Sequence, residues 1–177
     1  MKLPFLLFIL FTLNLTLFGQ SQRVISCTAE FKIKNAGITV DGSFNPVNAT
    51  IQWNEKNPSA SKISGEVMAQ SVKTGIALRD RHLREKSEFF NSPKFPKLSM
   101  ESVRIEPEQA GNFQVTWDLT IKGLTLRFKS LLHRELKAGQ TRLWTDFKID
   151  RRQWKVGGNS LTMGDIVSVH LEALFAN

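Results

Sequence analysis

The chain has 177 residues, a formal net charge of +8 and one cysteine. This length suits one domain with a substantial core, and a single cysteine excludes an internal disulfide and a cysteine pair for zinc. The positive charge is compatible with nucleic acid, an anionic membrane surface or simple solubility, because the basic residues are scattered along the chain.

Residues 1–19 form a predicted signal peptide. Lys2 supplies a positive charge, residues 3–18 are nearly all apolar, and Gly19 is a small residue at which a signal peptidase could cut. Cleavage would leave a domain of residues 20–177, so we expect an exported protein. An uncleaved anchor is the alternative, and export makes nucleic acid an unexpected partner.

Cys27 has two interpretations. After Val24, Ile25 and Ser26 it loosely fits a lipoprotein box, in which the cysteine would be acylated. However, four polar residues, 20–23, separate it from the apolar run, and a lipoprotein box should close that run directly. The sequence therefore favours a small buried residue on the apolar face of a strand.

Alternation of apolar and polar residues predicts antiparallel strands with one apolar face. Lys122-Gly123 is short enough for a tight hairpin. The apolar residues change face within 97–106, which predicts a β-bulge, whereas 130–138 lose alternation, so a strand end is expected near Leu132. The alternating segments are 27–33, 47–53, 63–69, 113–121, 124–128, 143–149 and 167–175.

About eight such strands must hide their apolar faces, which a sandwich or a closed barrel would do. An up-and-down barrel of about eight strands removes exposed edges and can enclose one small ligand. The convincing helix, residues 76–86, has a thin apolar stripe. We therefore expect an all-β antiparallel barrel with one short helix near its mouth.

Small residues on the inward faces predict unfilled volume. Ala29, Ala49, Gly65, Ala69 and Ala173 would leave an elongated apolar cavity suited to a hydrocarbon chain, although a core filled by aromatic side chains is the alternative. In that alternative, the protein is a structural or stress-response module that acts through a protein partner. The predicted cavity lining is Phe31, Ile51, Trp53, Val67, Phe89, Phe90, Met100, Phe113, Val115, Trp117, Phe147 and Val169.

The sequence carries no recognisable catalytic or metal motif. His82, His133 and His170 do not have metal-ligand spacing, and there is no nucleophile elbow, phosphate loop or dinucleotide fingerprint. Asp80 and His82 could orient one another for acid–base chemistry, but no nucleophile lies near them in sequence. We expect no enzyme activity, cofactor or metal.

The charged segment around Asp80 has three interpretations. It is a solvated helix with ordinary i,i+4 ion pairs, or Arg79, Asp80 and His82 form a polar latch that fixes the helix to the barrel rim. In the third, the arginines bind an anionic head group.

Eight segments stand out in order along the chain: Phe31 to Phe44, Ser71-Val72-Lys73-Thr74-Gly75, Arg79-Asp80-Arg81-His82-Leu83, Phe89-Phe90, Phe95-Pro96-Lys97, Leu119-Thr120-Ile121-Lys122-Gly123, Ile149-Asp150-Arg151 and Gly164-Asp165-Ile166-Val167. Together they resemble the YceI-like family. The resemblance implies a lipocalin-like barrel in the bacterial periplasm, a long apolar cavity for polyisoprenoid or related amphiphilic chains, and no catalysis or metal. Membrane-surface contact and a homodimer stay open.

Overall fold

The computed structural model describes residues 21–176, so the predicted signal peptide lies outside the described residues. The described part contains nine strands and one α-helix, α1, at Ala77–Glu85. None of its helices is long and apolar enough to cross a membrane. The strands are β1 Val24–Asn35, β2 Ile38–Phe44, β3 Val47–Gln52, β4 Lys62–Met68, β5 Lys97–Pro107, β6 Phe113–Ile121, β7 Leu124–Lys137, β8 Gln140–Asp150 and β9 Met163–Ala176.

The strands form one antiparallel sheet in the order β2-β1-β9-β8-β7-β6-β5-β4-β3. The sheet curls into a half-barrel whose apolar face points inward, which confirms the predicted all-β class and its single helix. Its two edges do not join in a continuous ladder. The backbone N–H of Gln22, just before β1, donates to the carbonyl of Ile51 in β3 at 2.8 Å, which ties the edge strand β3 to the start of β1.

Most local predictions hold. The register of β5 against β6 shifts between Ser102 and Arg104, which confirms the bulge. Lys122 and Gly123 have φ values of 51° and 72° and connect β6 to β7 directly. Two successive left-handed residues are typical of a type I′ hairpin, whose twist matches the strands.

Two predictions about strands need correction. β2 was not predicted, because Gly42 interrupts its apolar face. A larger residue there would displace the Phe31 ring, since a Cβ would lie 2.1 Å from Cζ of Phe31. The expected strand end near Leu132 was wrong, because β7 continues to Lys137 in pairing with β8. Its inward residues include Ser130 and Arg134, which removes the alternation although the strand persists.

The barrel has two different ends. The helix end is formed by the connections 69–96, 122–123 and 151–162, which include α1 and a short 3-10 helix at Arg151–Trp154. The far end is formed by the shorter connections 53–61, 108–112 and 138–139. The interior of the barrel therefore lies between two structurally different ends.

Candidate functional site

An apolar cavity of about 270 Å³ lies inside the barrel. All nine strands contribute residues to its wall, and at the helix end it is bounded by Leu83, Phe89 and Phe90. An apolar cavity of roughly 150 Å³ holds a benzene molecule, so this larger volume suits a hydrocarbon chain. The interior is therefore not filled by its own side chains.

Nine of the twelve residues predicted to line the cavity lie on its wall, and three do not. Trp53, Phe113 and Val115 are buried nearer the far end. The nine on the wall are Phe31, Ile51, Val67, Phe89, Phe90, Met100, Trp117, Phe147 and Val169.

Four of the five small inward residues border the cavity, namely Ala29, Ala49, Gly65 and Ala173. Ala69 does not. β4 ends at Met68, and Ala69 begins a 3-10 helix in which it is fully buried against other atoms. The volume therefore arises where small side chains on neighbouring strands face one another, as Ala49 and Gly65 do across the β3–β4 ladder.

An aromatic cluster closes the far end. The rings of Trp53 and Phe113 meet edge to face, with centroids 5.0 Å apart. The guanidinium carbon of Arg134 lies 5.7 Å from each ring centroid, and Arg134 is paired with Glu55. These residues form a floor beneath the cavity rather than its wall. Arg134 was missed because inward positions of a barrel strand were expected to be apolar.

At the helix end, Thr74 is the centre of the polar latch. Asp80 Oδ1 accepts hydrogen bonds from the Thr74 backbone N–H at 2.8 Å and from its hydroxyl at 2.5 Å. Arg79 donates from Nε to Thr74 Oγ1 and from Nη2 to the Thr74 carbonyl, both at 2.6 Å. Arg79 and Asp80 thus act through Thr74, whereas His82 lies half-buried on α1 outside these bonds. Thr74 and Arg79 also border the cavity.

Arg151 organises the other side of the helix end. It is 3% exposed and uses its five N–H donors within the protein, so it holds the loop after the last 3-10 helix rather than binding a ligand. Neighbouring Arg152 binds Asp150 and lowers the pKa of that carboxyl to about 2. The acceptors for Arg151 are the carbonyls of Val156, Gly158, Met163 and Gly164 and the carboxylate of Asp165.

Cys27 faces the cavity from β1, where it is paired with Ala173 of β9. Burial raises the pKa of its thiol, so the neutral form is favoured at pH 7. No group of three or more His, Cys, Asp or Glu side chains that could hold a metal ion occurs among residues 21–176.

The curled antiparallel sheet, its internal apolar cavity and the helix at one end define a lipocalin-like barrel. A model of the YceI-like domain matches residues 11–175, so the chain belongs to the YceI-like family. This match confirms the resemblance drawn from the sequence motifs.

Curated relatives include the UPF0312 proteins of Pectobacterium atrosepticum and Yersinia enterocolitica, which are 38% and 39% identical over 97 residues. These matches cover 54% of this chain and 50% of each relative, so the chain spans about half the length of the curated relatives it matches.

Among solved structures, Burkholderia cenocepacia BcnA superposes with a TM-score of 0.79 at 16% identity, covering 84% of this chain and 95% of BcnA. A polyisoprenoid binding domain from Saccharophagus degradans superposes with a TM-score of 0.68 at 12% identity, covering 88% of this chain and 97% of that domain. At these identities, the likenesses show the fold.

Proposed function

We propose that this protein is an exported binding protein that holds a polyisoprenoid or similar amphiphilic lipid in its barrel. The observation that carries the proposal is the 270 Å³ cavity, whose inward-facing strand residues are almost all apolar and whose helix end carries polar groups. A hydrocarbon chain gains from burial in such a cavity, whereas a polar ligand would lose its hydration without replacement. The polyisoprenoid binding neighbour supports the same ligand class.

The orientation of the ligand follows from the two ends. The far end is closed by the Trp53–Phe113 cluster, and Arg134 there is already paired with Glu55. At the helix end, Arg79 borders the cavity, and the hydrogen bonds to Thr74 engage its Nε and one Nη2 donor. A guanidinium has five donors, so Arg79 keeps Nη1 for a polar head group. The chain of the lipid would point toward the far end.

The proposed role is to bind and carry rather than to catalyse. The Cys27 thiol lies on the cavity wall, and its raised pKa favours the neutral form, which is a weaker nucleophile than the thiolate. The proposal of export to the periplasm rests on the apolar run of residues 3–18 between Lys2 and Gly19. N-terminal sequencing of the protein from its native host tests that part.

Protection of Cys27 tests the binding proposal. The thiol lies on the cavity wall, so a bound chain should shield it from a maleimide reagent. With farnesol as the probe at ten times its Kd, we expect labelling to slow by about tenfold, because only about a tenth of the protein is then free. Mass spectrometry of organic extracts from the native protein should detect a prenyl chain.

The matched control moves the thiol to the outer face of β1. In Cys27→Ser/Lys32→Cys, the new thiol replaces an exposed side chain, so farnesol should leave its labelling rate unchanged. Equal labelling of Cys27 with and without farnesol, together with clean extracts, would instead support a non-catalytic module that acts through a protein partner.

A further inference from the structure

Exposed apolar side chains gather at the helix end of the barrel. Ile76 and Leu78 at the start of α1 are 53% and 55% exposed, and Leu161 in the connection 151–162 is fully exposed. Ile38, at the start of β2, is 70% exposed and is paired with Asn35 at the same end. They surround the end at which Leu83, Phe89 and Phe90 border the cavity.

Positive charge concentrates at the same end. The connections 69–96, 122–123 and 151–162 contain ten basic and three acidic residues, which gives a net charge of +7. When Asp150 and Asp165 at the adjoining strand ends are included, the net charge is +5. The three connections of the far end contain one basic and two acidic residues, a net charge of −1. The exposed basic residues of the helix end are Lys73, Arg81, Lys86, Lys94, Arg152 and Lys155.

Hydrogen bonds tie these segments into one continuous rim. Ser43 and Lys73 exchange backbone hydrogen bonds at 2.9 Å, which joins β2 to the segment before α1. Ala36 N–H donates to the Thr162 carbonyl at 2.8 Å, and Gly157 N–H donates to the Glu88 carbonyl at 2.6 Å. Lys122 Nζ donates to the Ser87 and Lys155 carbonyls. The apolar and basic groups are therefore held on a fixed frame around the cavity mouth.

We propose that this rim is a docking surface for an anionic phospholipid bilayer. The mouth of the barrel then lies against the bilayer, so that the lipid passes between membrane and cavity. Ile38, Ile76, Leu78 and Leu161 enter the head-group region, and the exposed lysines and arginines bind lipid phosphates. The passage of lipid rests on the function proposed above.

The charge pattern selects a bilayer as the occupant. The exposed surface of α1 presents Leu78 and Arg81 one turn apart, so apolar insertion and phosphate contact occur on the same face. Anionic leaflets attract each nearby basic residue, and the rim has six exposed basic residues against two exposed acidic ones, Glu85 and Glu88. A second copy docking rim to rim would bring the two positive surfaces together, which opposes that arrangement.

Vesicle binding by variants of the apolar groups provides the first test. With vesicles of phosphatidylcholine and about 30 mol% phosphatidylglycerol, we expect Leu78→Asp/Leu161→Asp to weaken co-sedimentation by about tenfold or more. The matched control is Leu136→Asp, at a 51% exposed position near the far end, and it should bind like the unaltered protein. All variants carry the same N-terminus, so any contribution of residues 1–20 cancels.

Charge reversal provides the second test. Arg81→Glu/Lys86→Glu should weaken binding to the anionic vesicles by about tenfold or more and remove its salt dependence. Lys56→Glu/Lys137→Glu changes the net charge equally at exposed positions near the far end, and it should have a much smaller effect.

Three outcomes would overturn the docking surface: no binding of the unaltered protein to anionic vesicles, equal losses in the rim variants and their controls, or rim substitutions that dissociate a dimer without affecting vesicle binding. The vesicles contain no isoprenoid, so this test is independent of Cys27 protection by farnesol. If farnesol protects Cys27 but the protein does not bind vesicles, only the proposed docking surface is rejected. If the protein binds vesicles but farnesol does not protect Cys27, only the proposed cavity ligand is rejected.

Discussion

Thr74 holds the charged segment around Asp80 through hydrogen bonds to both Asp80 and Arg79. Asp80 is 6% exposed, and one of its oxygens accepts two hydrogen bonds from Thr74. Arg79 binds the same threonine from the other side, and Arg84 lies 4.0 Å from the second oxygen of Asp80. Arg79 and Asp80, two of the three residues expected in the latch, therefore meet at a neutral residue of the same connection, and His82 takes no part in these bonds.

At this scale we predict that Asp80→Asn lowers the free energy of unfolding by about 1–3 kcal/mol, because a buried charge-assisted acceptor is weakened. A double-mutant cycle with Thr74→Val should show coupling of about 0.5–3 kcal/mol. The control Asp146→Asn removes an exposed carboxylate that is paired with His170, and it should cost less than about 1 kcal/mol. Urea unfolding measures all four variants, and additive losses would mean that Asp80 is not held by Thr74.

At the scale of elements, β7 shows how polar inward residues are accommodated in a barrel strand. Ser130 accepts the indole N–H of Trp117 at 2.9 Å and shares a 2.8 Å hydrogen bond with the Thr145 hydroxyl. Four residues later, Arg134 covers the rings of Trp53 and Phe113. Each polar side chain has a specific partner from another segment, so the strand continues although its sequence does not alternate.

We predict that Arg134→Met destabilises the protein by about 1–2 kcal/mol, because methionine keeps the packing of the stem over the rings but loses the cation–π attraction. Arg104→Met removes an ion pair with Glu106 on β5 in which the arginine side chain is 71% exposed, and it should change stability by less than about 0.5 kcal/mol. Thermal or urea unfolding compares them. Equal small effects would show that Arg134 contributes nothing to closing the far end.

At the scale of the whole molecule, the cavity exists because small residues face one another across the inside of the barrel. A Cβ added to Gly65 would meet only the Asn48 carbonyl, at 3.8 Å, so a side chain there enters open space. Ala69, by contrast, is completely enclosed. Gly65 therefore borders unoccupied volume, whereas Ala69 lies in volume that other atoms already fill.

Gly65→Phe should abolish protection of Cys27 by farnesol while lowering stability by less than about 1 kcal/mol, because the ring fills the cavity without displacing the core. Ser64→Phe places the same ring on the outer face of β4 and should leave farnesol binding unchanged. Ala69→Phe should cost about 1–3 kcal/mol or more through overpacking. A comparable loss of stability in Gly65→Phe would mean that the space is not available to a ligand.

The sequence alone determined the strand faces, the tight hairpin at Lys122-Gly123, the position of α1 and most of the cavity wall, because alternation and turn chemistry are local properties. Only the tertiary structure decided that Trp53 and Phe113 form a floor, that Asp80 binds Thr74, and that β2 is a strand. Alternation states which face a side chain occupies but not its height along the barrel. That height depends on the stagger between neighbouring strands, which is set by contacts between residues far apart in sequence.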